Sequence, residues 1–418
     1  GSHDDAAVID SRVHGMSSYG LQLDGPGALV QGGDYFGNST GVYLTGAGSR
    51  VQAVEAFGNT YGVRVTGSGS EVVDSLVHDN SSYGISAGSN VRVSGNTVYG
   101  HRGSGDEGIL VSGSGSVAEG NVVYDNYDGI YIGSSGRAEG NRVYGNQVGI
   151  RVGQYGGTAA GNSVFSNSIG IFLNTYGGGT GRVENNLIYG NGATGIRVDN
   201  GSGHDIVNNT VYAPAGDAVD VYGSAQWVDV RNNIVSVAEG YAVRVSSNSQ
   251  VGFSSDYNLF HLSDTALLGS WQGVDYLSRL QWSYALGLDA NSLVSDPQFV
   301  DPDGTDGVLG GAPAQIIDDG EAGFATTGAW GTHDPGGHDG DALTSTEGAS
   351  ATWTFDGLAP GRYRLAATWV PTGESQYDTT ALFSIQDGLE TVADVEVNQR
   401  YTSDYYLPND FTDAGSPW

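Results

Sequence analysis

At 418 residues the chain has room for two domains, and with 38% hydrophobic residues it can bury a core despite its 69 glycines. The absence of cysteine rules out disulfides and thiolate metal sites, so cohesion must come from packing and backbone ladders. A formal charge of −31, from 47 acidic and 16 basic residues, speaks against nucleic acid or anionic lipid as partners, and no apolar run reaches membrane-spanning length.

From about residue 8 to residue 260 the chain repeats itself. A small residue followed by apolar-x-apolar returns at Gly20, Gly41, Gly62, Gly84, Gly108, Gly129, Gly149, Gly170 and Gly195, then as Ala218 and Ala242. Within each repeat the apolar positions alternate, as in Gly-Ile-Tyr-Ile at 129–132, which is the period of a strand and not of a helix. Two asparagine rows keep the same register. One runs from Asn96 through Asn141 to Asn233, the other from Asn38 through Asn126 to Asn191, with His101 in the one slot lacking Asn. Asparagine tolerates left-handed turns, and its amide both donates and accepts, so stacked copies form hydrogen-bonded ladders. Three short strands and two Asn turns per repeat predict one coil of a parallel β-helix. The expected fold is all-β, a right-handed parallel β-helix of about eleven coils over residues 4–255.

Residues 256–313 break the period and gather large apolar side chains. The segment Tyr276–Trp282 reads as a short helix closing the end of the solenoid. The stretch Asp301-Pro-Asp303-Gly-Thr-Asp306 sets carboxylates at alternate positions around glycine, as calcium loops do. From residue 314 to 418, alternating runs around Trp353, Phe355, Tyr363 and Trp369 predict a C-terminal antiparallel β-sandwich, with Gly357-Leu-Ala-Pro-Gly361 as a hairpin.

The Asn-x-apolar-Tyr-x-Asn rungs, Ser-Asp-Tyr-Asn at 255–258 and Asp-Pro-Gln-Phe-Val-Asp-Pro at 296–302 give the first 310 residues a resemblance to parallel β-helix repeat proteins of the pectate-lyase-like superfamily. That resemblance implies a protein acting on polysaccharide as lyase, hydrolase or epimerase, or one without catalysis. Residues 316–418 resemble the golvesin and xanthan-lyase type carbohydrate-binding-like domain. The likeness rests on Ile316-Ile-Asp-Asp-Gly320, Gly328-Ala-Trp330, Ala351-Thr-Trp-Thr-Phe355, Gly361-Arg-Tyr363 and Thr368-Trp369.

The widest early insertion, Tyr99 to Glu107, is the first candidate for catalysis. His101 or Tyr124 would serve as base or acid, Arg102 would neutralise a uronate carboxylate, and Asp106, Glu107 and Asp128 would hold calcium. A hydrolase would instead use a carboxylate pair such as Asp106 and Asp128. Alternatively, His101 only fills an Asn slot and the carboxylates solvate a turn. An outward row holds Tyr43, Arg64, Tyr131, Arg151, Phe172, Arg197 and Arg244. Rings that stack on sugars, mixed with guanidinium groups that pair with carboxylates, suit an extended anionic glycan. The competing reading is cross-rung stacking alone. A further row of aromatics, Phe36, Phe57, His78, Tyr99 and onward to Tyr212, is expected to be structural. The expected protein is thus a monomer outside the cell or on its surface. It is expected to bind an anionic polysaccharide, with cleavage or epimerisation as the reaction if it is an enzyme and calcium as its one cofactor, or else to serve as an adhesin or spacer.

Overall fold

The computed structural model describes residues 4–299, 317–333, 342–345, 348–355, 367, 381–387, 390–397, 412–413 and 416–417. The chain divides into two units, Gly1–Gln298 and Phe299–Trp418. The first is a parallel β-solenoid of about twelve turns with three sheets. The first sheet runs in twelve strands from Ala7–Ile9 to Ser254–Asp256; the second, in thirteen, from Val13–His14 to Leu293–Val294. The third, also of thirteen, runs from Tyr19–Leu23 to Val274–Tyr276, and only its last pair is antiparallel.

Every strand pairs with the strand one coil away, so side chains at equivalent positions stand above one another. The inward positions are Val, Ile and Ala. In the first sheet Val72, Val93, Ala118, Ala138, Ala159 and Val183 form one fully buried column. Such a column removes apolar surface from water at about 25 cal/mol per Å².

Both Asn rows are ladders. The Asn141 side chain donates to Asn162 Oδ1 at 2.9 Å while the Asn141 backbone N–H reaches the same oxygen, also at 2.9 Å. Its Nδ2 also donates to the Ala118 carbonyl of the coil below at 2.9 Å. Turn donors and acceptors that the strands leave over are thereby satisfied. The residue before the first ladder must adopt a positive φ: glycine at 95, 120, 140 and 161, then asparagine at 185, 208 and 232. The Gly-Asn and Asn-Asn dipeptides of the sequence are this turn.

The solenoid continues past residue 255. Ser254–Asp256, Leu259–Leu262 and Leu267–Trp271 add another coil, with Asn258 receiving the Asn233 backbone N–H at 3.0 Å. The ladder then stops on Asp289 and Ser292, which occupy the next rung. The expected eleven coils fell short because this coil carries Leu-Leu-Gly where earlier ones begin with Gly or Ala. The closing helix forms at Arg279–Leu286, three residues later than expected, capped by the Ser278 side chain and by Gly287 at φ 73°. Its Trp282 is fully buried against Trp271 and Tyr276, and the indole N–H donates to Asp289 at 3.1 Å.

The second unit contains antiparallel pairs, among them Phe324–Thr327 with Ser350–Trp353, and Ala381–Asp387 with Glu390–Val397. The hairpin expected at 357–361 lies outside the described residues. Among the described residues no helix is long and apolar enough to cross a membrane.

Candidate functional site

The second sheet spends its outer face on itself. Rings from His14 through Tyr99, Tyr124 and Tyr144 to Tyr189 stack with centroids 4.8–5.2 Å apart and planes 5–18° from parallel. The third sheet differs. Its outer face carries two side-chain columns three residues apart, one starting each strand and the other containing the outward row read from the sequence. The small residue between them is fixed by crowding. A Cβ on Gly149 would lie 2.6 Å from the Gly170 carbonyl oxygen and 2.8 Å from Asn167 Nδ2.

Toward the N-terminal end, Glu107 and Asp128 are register partners on adjacent strands. Asp128 is only 3% exposed and accepts a two-pronged bond from Arg151, through Nε and, at 2.8 Å, through a terminal nitrogen. The Arg151 guanidinium lies 4.8 Å over the Phe172 ring. Glu107 Oε2 is buried and has no hydrogen-bond partner among the described residues. Burial, reinforced by Asp128 and Asp106, pushes the Glu107 carboxyl up to about 8, so at neutral pH it keeps its proton. Glu107 and burial together raise the neighbouring Tyr83 hydroxyl, and burial also raises Asp106. Val148, Ile169 and Phe172 form a small apolar cluster nearby.

Toward the C-terminal end, Asp220 is 2% exposed and accepts two bonds from Arg244, both at 3.0 Å. The same arginine reaches Asp217 at 3.0 Å, while Arg197 Nε stands 3.5 Å from Asp220. Burial raises the Asp217 carboxyl, although Arg244 opposes the shift. Arg197 covers Tyr222 at 4.8 Å. At the far N-terminal end Arg64 lies 5.2 Å over the Tyr43 ring.

Several sequence-predicted residues fall elsewhere. His101 is fully buried, with Nδ1 2.8 Å from Asn126 Oδ1 and Nε2 3.2 Å from Asn80 Nδ2. It is a rung of the second ladder, out of reach of any substrate, and burial lowers its pKa to about 4. Tyr124 belongs to the ring stack of the second sheet, away from the acids it was expected to accompany. Arg102 is drawn to Asp125, 2.9 Å from its Nε. The structure therefore gathers Asp106, Glu107 and Asp128 with Arg151, and disperses His101, Arg102 and Tyr124. Tyr131 does line the third sheet, its hydroxyl accepting the Gln154 N–H at 3.2 Å.

The three acids fit a divalent cation poorly. The Asp128 carboxylate is taken by Arg151 and Glu107 holds a proton, leaving only Asp106 of the three. Among the described residues no three His, Asp or Glu side chains are grouped to hold a metal. Asp301, Asp303 and Asp306 lie outside the described residues.

Sequence reasoning missed the pairing of Asp128 with Arg151 and of Asp220 with Arg244. The signal was present: separations of 23 and 24 residues put each pair on neighbouring coils.

A family model described as "Right handed beta helix region" matches residues 1–164 and 107–258. No curated protein matches. The solved structures that resemble the chain include the A-module of the mannuronan C-5 epimerase AlgE6 from Azotobacter vinelandii, at 17% identity. That alignment covers 70% of this chain and 91% of that one with a TM-score of 0.48. Endopolygalacturonase I from Stereum purpureum aligns at 14% identity over 72% of this chain and 96% of that one, TM-score 0.42. The pectate lyase Pel9A aligns at 16% identity over 75% of this chain and 78% of that one, TM-score 0.39.

Proposed function

The chain belongs to the right-handed β-helix family, and from that premise we propose that it is an extracellular or cell-surface protein that binds a polysaccharide along its third sheet. One observation carries this reading. The second sheet closes its outer face with a continuous ring stack, whereas the third sheet lines up aromatic rings, guanidinium groups and carboxylates over many coils. Rings supply flat apolar surface for the faces of sugars, and the charged pairs supply donors and acceptors for hydroxyls. The second unit, through its resemblance to the golvesin type, is proposed as a sandwich that adds a second carbohydrate contact. The protein is proposed to act as a monomer.

The reading extends to bond cleavage. Glu107 is a neutral carboxylic acid beside the Arg151-bound Asp128, and a carboxyl group that keeps its proton at neutral pH is what acid-assisted glycoside cleavage requires. Glu107 would protonate the glycosidic oxygen as its bond to the anomeric carbon breaks, and a water molecule would add at that carbon and release its proton to solvent, leaving a new reducing end. The alternative is a non-catalytic adhesin or spacer, favoured by the two overlapping ladders, Asn38 to Asn191 and Asn96 to Asn258, that tie coil to coil.

The test is to incubate the protein with a panel of polysaccharides and follow both reducing ends and unsaturated ends, with and without calcium. New reducing ends that vanish in Glu107→Gln while glycan retention persists support cleavage at this acid. Retention without turnover supports binding alone. No retention on any glycan leaves the spacer.

A further inference from the structure

Between residues 128 and 244 the third sheet presents three arginines, and each stands beside an aspartate. Arg151 is held by Asp128, while Arg197 and Arg244 share Asp220 and Asp217. Three guanidinium groups thus face three carboxylates, and Asp199 at the end of the Thr194–Asp199 strand adds a fourth, so the span carries no excess of positive charge. The carboxylates lie beneath, 2–7% exposed, and the guanidinium groups lie above them, 19–41% exposed. A glycan carboxylate or sulfate could take Arg151 or Arg244 only by drawing it from its own aspartate. That would strand a nearly buried anion, which costs more than the new surface pair returns.

Resting on the proposal that this face binds a glycan, we infer that the glycan is a neutral polysaccharide. A sugar hydroxyl both donates and accepts, so it can bridge an Asp–Arg pair without dismantling it. Arg197 Nε is buried without a hydrogen-bond partner among the described residues, leaving a donor for such an oxygen. Phe172 under Arg151 and Tyr222 under Arg197 hold the guanidinium groups in place, and the partly exposed Tyr131 ring on the same face offers a flat apolar surface for the C–H face of a pyranose ring, which needs no counter-charge. The protein's overall charge of −31 acts in the same direction, since it repels a polyanion at long range.

The experiment is native affinity electrophoresis of the full chain in gels containing neutral polymers (mannan, xyloglucan, mixed-linkage glucan, galactan) or anionic ones (alginate, polygalacturonate). Each gel is run at low salt and at about 0.5 M NaCl, where the screening length is about 4 Å, and with and without calcium. The expected result is retardation by at least one neutral polymer, unchanged by salt, and none by the anionic ones. Phe172→Ala and, on the more accessible flank, Tyr131→Ala each weaken neutral binding about five- to tenfold. Retardation by an anionic polymer, whether salt-sensitive or calcium-dependent, overturns the inference while leaving glycan binding intact. Retardation by no polymer of either class overturns the glycan reading itself, and the inference with it.

Discussion

Nδ1 of His101 stands 2.8 Å from the side-chain oxygen of Asn126, and Nε2 of the same ring 3.2 Å from the side-chain nitrogen of Asn80. A neutral imidazole with its proton on Nδ1 donates up the ladder and accepts from below, as the asparagine amide does in every other rung. A protonated ring would point a second N–H at the Asn80 amide. Its place in the fold therefore depends on staying neutral.

This makes acid sensitivity measurable. The His101 pKa falls from 6.5 to about 4 on folding, because burial disfavours the charged form. The unfolded chain then binds the proton first, so the stability contribution is whole above pH 6.5 and is lost as pH falls toward 4, at up to about 1.4 kcal/mol per unit. Thermal unfolding of wild type and His101→Asn should diverge across that window, with the wild type losing more. Parallel curves would show that the ring is not sensed.

Glu107 predicts the opposite slope. Its carboxyl is raised from 4.5 to about 8, so stability is fully present below pH 4.5 and declines as pH rises through 8. Glu107→Gln, which cannot ionise, should gain on the wild type over that interval and keep a constant advantage beyond it. Melting temperatures from pH 5 to 9 are the readout, and a constant offset across that range would remove burial as the cause.

The Asp128–Arg151 pair should be strongly coupled. Arg151→Met leaves a carboxylate that is 3% exposed without its partner, at a cost of about 3–5 kcal/mol. Adding Asp128→Asn should recover much of this loss. A denaturant double-mutant cycle with coupling below about 0.5 kcal/mol would mean the pair is solvated in solution.

Crowding at the strand starts is testable at Gly149, whose added Cβ would meet the Gly170 carbonyl, Val164 and Asn167 at 2.6–2.8 Å. Gly149→Ala should destabilise by about 1–3 kcal/mol through displaced backbone. An alanine already stands at the equivalent slots 218 and 242, so reciprocal Ala218→Gly, read by the same denaturant titration, should be far milder.

The solenoid was legible because its constraints repeat: a glycine or asparagine forced into positive φ, an amide that bonds both ways, a valine facing inward. Each leaves a mark once per coil. The site was not legible, because what decides it is the environment of single residues. His101 and Asp106 sit five positions apart in one loop, yet one is sealed in a ladder and the other opens onto the third sheet. Arg151 looked like a free cation in the sequence, and only the neighbouring coil reveals the aspartate beneath it. The end of the solenoid was misjudged for a related reason: its last coil keeps the Asn rung at Asn258 but not the small residue that opens the strand.

Because each coil bonds only to the one before and the one after, the molecule is modular along its axis. Excising or duplicating one full repeat between matching rungs would leave every remaining ladder closed and shift one end by about 4.8 Å. The distance from the Glu107 acid to the Asp220 cluster is therefore a quantised variable. Gene segments of some twenty codons could lengthen or shorten the molecule's reach along a polymer stepwise, with no redesign of its interior.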